Sequence, residues 1–90
     1  MPALLVTYDL NSPRQKHSKV LEKVKSFGGW ARLSESSYAI TTSLTPNQVY
    51  SQFESLLDSN DYIWIVSLKK PYSGFGSKKV IDWLDTNLTY

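Results

Sequence analysis

The sequence has no cysteine, one histidine and no long apolar run, and each absence excludes a class of protein. Without cysteine there is no disulfide scaffold, no cysteine nucleophile and no thiolate metal site. One histidine leaves a zinc site incomplete unless carboxylates or a second chain supply the other ligands. No apolar stretch approaches the roughly 20 residues that span a bilayer, and the chain begins directly with a strand-like segment. We therefore predict no membrane partner, no signal peptide and a cytoplasmic location.

The size and composition of the chain predict a single folded domain. It has 90 residues, of which 41% are hydrophobic and 13% aromatic, and we assign residues 1–90 to one domain. Four glycines and four prolines are too few for a low-complexity segment, which argues against disorder. A domain of this size buries only about two thirds of its unfolded surface, so it needs an efficient core or a partner.

The spacing of apolar residues predicts four strands and three helices in the order β-α-β-β-α-β-α. Helix starts are marked by Ser12 before Pro13 and by Thr45 before Pro46, each with a glutamine three residues after the cap. Gly28 follows the first helix and supplies the backbone conformation that ends it. The predicted strands cover residues 1–9, 29–33, 37–43 and 62–68, and the last helix covers residues 78–88.

This order predicts an α+β, ferredoxin-like β-α-β-β-α-β fold with an additional C-terminal helix. Right-handed crossovers give an antiparallel four-stranded sheet in the order 4-1-3-2, with two helices on one face. The segment Tyr62–Leu68 is apolar at almost every position, which is typical of a strand covered on both faces. Aromatic residues leave neither face of the sheet polar: Tyr8, Trp30, Tyr38 and Trp64. The second face is therefore covered by the last helix, by a second copy of the chain or by a ligand such as single-stranded RNA, and we predict a homodimer.

One edge of the predicted sheet collects polar residues. Strands 1 and 3 are expected to run parallel, so that both end at this edge, beside the N-termini of both helices. The polar residues expected to gather there are Asp9, Asn11, Ser12, His17, Thr41, Thr42, Ser43 and Thr45. Helix N-termini favour an anion such as phosphate. Asp9 either holds Mg²⁺ together with its symmetry mate or shapes the turn before Pro13. His17 either exchanges protons with Asp9 or is a packing residue.

Basic residues are concentrated in the first helix, although the net charge is only +2. Twelve residues of this helix contain only one acid but five basic residues, which are Arg14, Lys16, Lys19, Lys23 and Lys25. This patch either contacts the phosphates of RNA or DNA or is a solvated helix face.

The loop at residues 71–79 contains two glycines and Phe75. It either holds a phosphate or is a folded connection with Phe75 in the core; it lacks the spacing of a Walker loop. The third strand lacks the RNA-recognition signature.

Several segments resemble a known family. The strand ending in Tyr8-Asp9, the helix Lys16–Phe27, the strand pair Trp30–Thr42 and the strand Tyr62–Leu68 resemble the small CRISPR-associated endonuclease and integration-scaffold family and the related virulence-associated protein D. The phrases LLVTYDL, WARLSESSYAI and LKKPYSGFG resemble small bacterial and phage proteins labelled SinR-like. The resemblance implies a symmetric dimer that cleaves RNA or DNA or binds it as a scaffold, with Asp9 matching the metal-binding aspartate. The chain differs from that family in its tail, which is predicted to be helical instead of a strand.

Two functions remain as hypotheses. The first is a homodimeric nucleic-acid-associated protein related to these nucleases, with Asp9 and His17 as catalytic residues and Asp9 as the Mg²⁺ ligand. Its nucleic-acid contacts are predicted to be Arg14, Lys16, Lys19 and Lys23. The alternative is a non-enzymatic homodimer that binds another protein, as an antitoxin, an adaptor or a phage counter-defence factor.

Overall fold

The computed structural model describes residues 2–11 and 13–89, with the side chains of residues 13–15 left out. The predicted Ser12 cap and the side chain of Arg14 therefore lie outside the described residues. The elements follow the predicted order, with a short 3₁₀ turn, Glu54–Leu56, after the second helix. The four strands are β1 (Ala3–Asp9), β2 (Trp30–Ser34), β3 (Ser37–Thr41) and β4 (Tyr62–Leu68), and the three helices are α1 (Pro13–Lys25), α2 (Pro46–Ser51) and α3 (Lys78–Asn87).

The four strands form one antiparallel sheet in the order β2-β3-β1-β4, which is β4-β1-β3-β2 when counted from the other edge. The predicted α+β class and antiparallel sheet are confirmed. The expectation that strands 1 and 3 run parallel is wrong, because Ala3 pairs with Thr41 and Thr7 pairs with Ser37. The crossover through α1 makes β1 and β2 parallel, and the tight turn after β2 then reverses β3.

Two helix starts follow from the local sequence. Thr45 Oγ1 accepts a hydrogen bond from the Gln48 N–H at 3.2 Å, and Gln48 Oε1 accepts one from the Thr45 N–H at 2.9 Å, which completes the predicted capping box. Ser77 Oγ accepts from the Val80 N–H at 3.3 Å and begins α3. At the end of α1, Gly28 has a φ of 140°, where a side chain would also collide with the Thr41 carbonyl oxygen.

The main core lies between the sheet and the first two helices. Alternate residues of β1, Leu4, Val6 and Tyr8, pack there with residues of β3, α1 and α2. Phe53, just after α2, is fully buried in this cluster. α2 ends at Ser51, and the 3₁₀ turn Glu54–Leu56 follows it.

A second, smaller cluster joins α3 to the opposite face of the sheet. Leu84 and Leu88 pack there against Ala3 and Ala39. The loop before α3 is held by Tyr72, whose hydroxyl donates to Asp85 Oδ1 at 2.6 Å. The prediction that Phe75 packs in the core is wrong, because its side chain is fully exposed. No helix among the described residues is both long and apolar enough to cross a membrane.

Candidate functional site

Asp9 ends β1 opposite Tyr62, the first residue of β4, and it is exposed. The polar cluster expected around it does not form. Because β1 and β3 are antiparallel, Thr41 lies beside Ala3, at the opposite end of β1 from Asp9. The segment 41–45 and the N-terminus of α2 therefore lie far from the start of α1, and the two helix ends do not share an edge.

The structure instead brings Asp9 to the turn between β2 and β3. Tyr8 N–H donates to the Ser36 carbonyl oxygen at 3.0 Å, which fixes this turn against the end of β1. A cleft of about 180 Å³ results, lined by Tyr8, Asp9, Leu10, His17, Glu35 and Ser36. Asp9 and His17 thus line the same cleft, and Glu35 joins them. Glu35 was not among the predicted site residues, because only the direction of the β2–β3 turn brings it here.

Tyr8 gives this cleft its main electrostatic feature. Its ring lies 5.9 Å from that of His17, and its buried hydroxyl has no hydrogen-bond partner among the described residues. Burial and, after it, repulsion from Tyr38 raise the pKa of Tyr8 to about 12. Tyr8 is therefore a neutral donor near pH 7 and not a base. Small-molecule sites usually measure about 300–1,000 Å³, so the cleft fits waters or an ion better than a substrate.

The described residues do not group into a metal centre of their own. Nowhere in residues 2–11 and 16–89 do three side chains of His, Asp or Glu come together in a way that could hold a metal ion. Asp9 and Glu35 are two exposed carboxylates on one cleft, and Mg²⁺ would need a second chain or a phosphate substrate to complete its ligands.

Lys16, predicted to contact nucleic acid, is held within the chain. Its Nζ donates at 2.5 Å to Asp58 Oδ2 and at 2.5 Å to Asp61 Oδ2. The side chain of Asp61 is fully buried and also accepts hydrogen bonds from the backbone N–H of Asn11 at 2.7 Å and of Asp58 at 2.8 Å. This network, the Lys16–Asp61 cluster, joins the start of α1 to the segment before β4. The partners of Lys16 lie more than 40 residues away in sequence, so local spacing could not reveal them.

The pKa shifts in the Lys16–Asp61 cluster agree with its geometry. The Asp58 N–H, then the Lys16 ammonium and the Asn11 N–H, lower the pKa of Asp61 to about 2. Desolvation opposes the charge on Lys16, but its two carboxylate partners outweigh this and raise the pKa of Lys16 above its usual value. Both groups are therefore charged across the physiological range.

The remaining cations of α1 have different surroundings. Lys19 is exposed and Lys23 is half-buried one turn further on, and neither forms an ion pair with a described residue. Lys25 lies 4.6 Å above the ring of Trp30. Of the four predicted contacts, Lys19 and Lys23 are thus the two whose side chains are described and not engaged with carboxylates.

The largest departure from the sequence prediction lies on β4. Its outer residues were expected to be covered, but Tyr62, Trp64 and Val66 are 63%, 67% and 48% exposed. We call these three residues the β4 stripe. They share the face on which α3 packs, but α3 reaches only Leu68 at the far end of the strand. The prediction of a strand covered on both faces is therefore wrong for the chain alone.

A second apolar surface adjoins α3. A cavity of about 600 Å³ lies between α3, the loop before it and the end of β2. Its lining includes the apolar residues Leu33, Leu68, Tyr72, Ile81 and Leu84, together with Arg32 and Glu35. The lining contains no group of acids and histidines suited to catalysis.

Comparisons with known proteins identify no relative. No protein-family model matches the chain, and no curated protein or solved structure matches it. The resemblance to the CRISPR-associated family stays a prediction from the sequence.

Proposed function

We propose that the protein is a homodimeric interaction module with a ferredoxin-like fold, and that it acts by binding instead of by catalysis. The observation that carries the proposal is the β4 stripe, since contiguous exposed aromatic and aliphatic side chains mark interaction surfaces. The strand order and the position of α1 and α2 on one face support the ferredoxin-like assignment.

Two features of the cleft at Asp9 favour binding over catalysis. It is small, and burial raises the pKa of its tyrosine still further above the physiological range. Its one histidine shows no hydrogen bond to a carboxylate that would orient it as a base, within the part of the chain described. The exposed aromatic surface on β4, in contrast, is ready to bind a partner.

The proposal predicts a dimer that depends on Trp64. Size exclusion with light scattering should show a dimer at tens of micromolar, and Trp64→Lys should raise the dimer dissociation constant by roughly a hundredfold. The variant removes two tryptophans per dimer, and burying each large apolar side chain contributes about 1.5 kcal/mol or more to the free energy of association, which together accounts for the change in the dissociation constant. Phe75→Lys is the matched control, since Phe75 is an even more exposed aromatic residue outside the β4 stripe. A wild-type protein that is monomeric at these concentrations would refute the proposal.

A second candidate function, a nucleic-acid-associated protein, is favoured by Lys19, which is exposed on α1, and by its half-buried neighbour Lys23. The predicted Mg²⁺-dependent endonuclease is a special case of it, with Asp9 as the ligand and His17 in the same cleft. Arg14 and the paired Lys16 complete the predicted set.

If this second function is correct, the double variant Lys19→Gln/Lys23→Gln should weaken duplex DNA binding similarly for all sequences. Each lost phosphate contact reduces the slope of log affinity against log salt by about 0.9. Lys78→Gln is the control, because Lys78 is paired with Asp82 on α3. Binding is measured by fluorescence anisotropy with and without Mg²⁺, on RNA as well as DNA.

An unchanged slope in the double variant would exclude α1 as the binding surface. Cleavage that requires Mg²⁺ and disappears in Asp9→Asn would identify the endonuclease. Binding without cleavage would identify a scaffold.

A further inference from the structure

We propose that two copies of the chain pair through the free edges of their β4 strands, antiparallel and centred on Ile65, to form one continuous eight-stranded sheet. This inference rests on the homodimer proposed above and names the surface that forms it. It concerns the backbone edge of β4, which is distinct from the exposed side chains of the β4 stripe.

The direction of the backbone groups on β4 follows from one hydrogen bond. Tyr8 N–H donates to the Ser36 carbonyl oxygen, so it points toward β3. Successive N–H groups of a strand point to opposite sides, so the N–H of Thr7 points toward β4. Thr7 is directly opposite Trp64. Because the N–H of Thr7 points toward β4, the two residues form a hydrogen-bonded pair, in which each N–H donates to the carbonyl oxygen of the other residue. The N–H of Trp64 therefore points inward, to β1.

The same alternation places three residues of β4 at the free edge. Ile63, Ile65 and Ser67 point their N–H and carbonyl groups away from β1. Among the described residues, β4 has no backbone hydrogen bond to any strand other than β1. A cleft of about 460 Å³, lined in part by Tyr50, Ile63 and Ile65, runs between α2 and β4 and leaves the edge accessible.

The two edge strands of the sheet, β2 and β4, differ in the way expected if β2 is protected against pairing and β4 pairs with another chain. Edge strands of monomers are usually protected by charge, proline, bulges or short length. β2 has only five residues, contains Arg32 and is interrupted by a shift in register between Arg32 and Ser34. β4 has seven residues, no charge and no proline, and it is in unbroken register with β1.

Charge complementarity favours a second copy in antiparallel orientation. The segment before β4 carries Asp58, whose side chain is 62% exposed, and Asp61; with Lys16 these three groups sum to a single negative charge. Lys69 follows β4 and is exposed. Pairing centred on Ile65 aligns all seven residues of each strand and places position 61 opposite position 69 of the partner. The net negative charge of this cluster, carried at the surface by Asp58, then lies toward the partner's Lys69 at both ends, whereas parallel pairing would bring like charges together.

The pairing also brings the side chains of the two β4 stripes into contact. In this register Trp64 lies opposite Val66 of the partner subunit, and Tyr62 lies opposite the partner's Leu68. Aromatic and aliphatic residues that face each other across strands stabilise a sheet. The two stripes thereby become one continuous apolar surface across the dimer axis.

Amide hydrogen exchange of the wild-type protein, measured by NMR, tests the edge directly. In the proposed dimer the N–H groups of Ile63, Ile65 and Ser67 are protected as strongly as those of Trp64 and Val66. On dilution below the dissociation constant, the amides of residues 63, 65 and 67 should exchange rapidly, while those of Trp64 and Val66 stay protected by β1. Protection then alternates along the strand. A dimer in which the alternate pattern persists would overturn edge pairing but leave the homodimer intact; a monomer would overturn both.

A matched pair of variants provides the second test. Ser67→Pro removes an N–H that β1 does not use, so the edge strand tolerates it, whereas Ser67→Ala keeps that N–H. Ser67→Pro should raise the dimer dissociation constant by roughly tenfold or more, because two hydrogen bonds are lost per dimer, while Ser67→Ala should leave it unchanged. Circular dichroism checks that both variants fold. Equal dissociation constants for two folded variants would contradict the proposal, and if Ser67→Pro does not fold, the exchange pattern of the wild type decides.

Discussion

Replacing Phe53 with alanine should lower the free energy of unfolding by about 3–5 kcal/mol, the range for deleting a buried phenyl ring. Phe53 is fully buried, and its ring lies 6.0 Å from that of Phe27, so it joins the segment after α2 to the end of α1. Domains are stable by only about 5–15 kcal/mol. The variant should therefore be largely unfolded at moderate urea concentrations that leave the wild type folded.

The matched control for this experiment is Phe75→Ala. It deletes the same ring from a fully exposed position, where substitutions change stability by only about 0.5 kcal/mol. Urea denaturation followed by circular dichroism, at one fixed protein concentration, measures both. Equal losses in the two variants would mean that the core is not centred on Phe53.

The second large effect is expected at Asp61. Its folded pKa of about 2 lies below the value of about 3.9 for an unfolded aspartate. A lowered pKa stabilises the fold above the unfolded value, and that contribution is lost as the pH falls through the folded pKa. Stability should therefore decrease between about pH 4 and pH 2.

Asp61→Asn should destabilise the protein at pH 7 and remove its share of this acid dependence. Oδ1 of Asp61 accepts from Asn11, and Oδ2 accepts from Lys16 and Asp58, whereas an amide has only one oxygen. Asp58→Asn is the control, since the Asp58 side chain is largely exposed and should contribute less. Thermal melts from pH 2 to pH 7 measure both. If Asp61→Asn melts like the wild type across this range, the Lys16–Asp61 cluster does not hold α1 to β4.

Features set by local interactions were predicted well from the sequence. The capping box at Thr45 involves residues three positions apart, so its geometry is contained in the segment itself. The bounds of β4 were also correct, because an apolar run with β-branched residues has strong strand preference.

Features that depend on distant segments were predicted less well. An apolar run looks the same in an inner strand and in an edge strand, so the exposure of Trp64 was not foreseen. The ion pairs of Lys16 depend on β4 lying beside β1, which makes a predicted binding residue part of the framework. Phe75 is flanked by glycines, which indicate a turn but do not indicate whether the core has space for the phenyl ring, so its exposure was not predicted. Because β3 was predicted to run in the wrong direction, the predicted polar cluster was placed incorrectly and Glu35 was not recognised as a neighbour of Asp9.

The inner position of β1 has a consequence for the nascent chain. β1 leaves the ribosome before the other strands, yet its partner β4 lies 53 to 65 residues further along. At synthesis rates of about 5–20 residues per second, β1 waits roughly 3–13 seconds for that partner. Until then any sheet built from the first three strands has β1 as a temporary edge. A newly made chain therefore passes through a short period in which β1, and not β4, is the strand open to pairing with its neighbours.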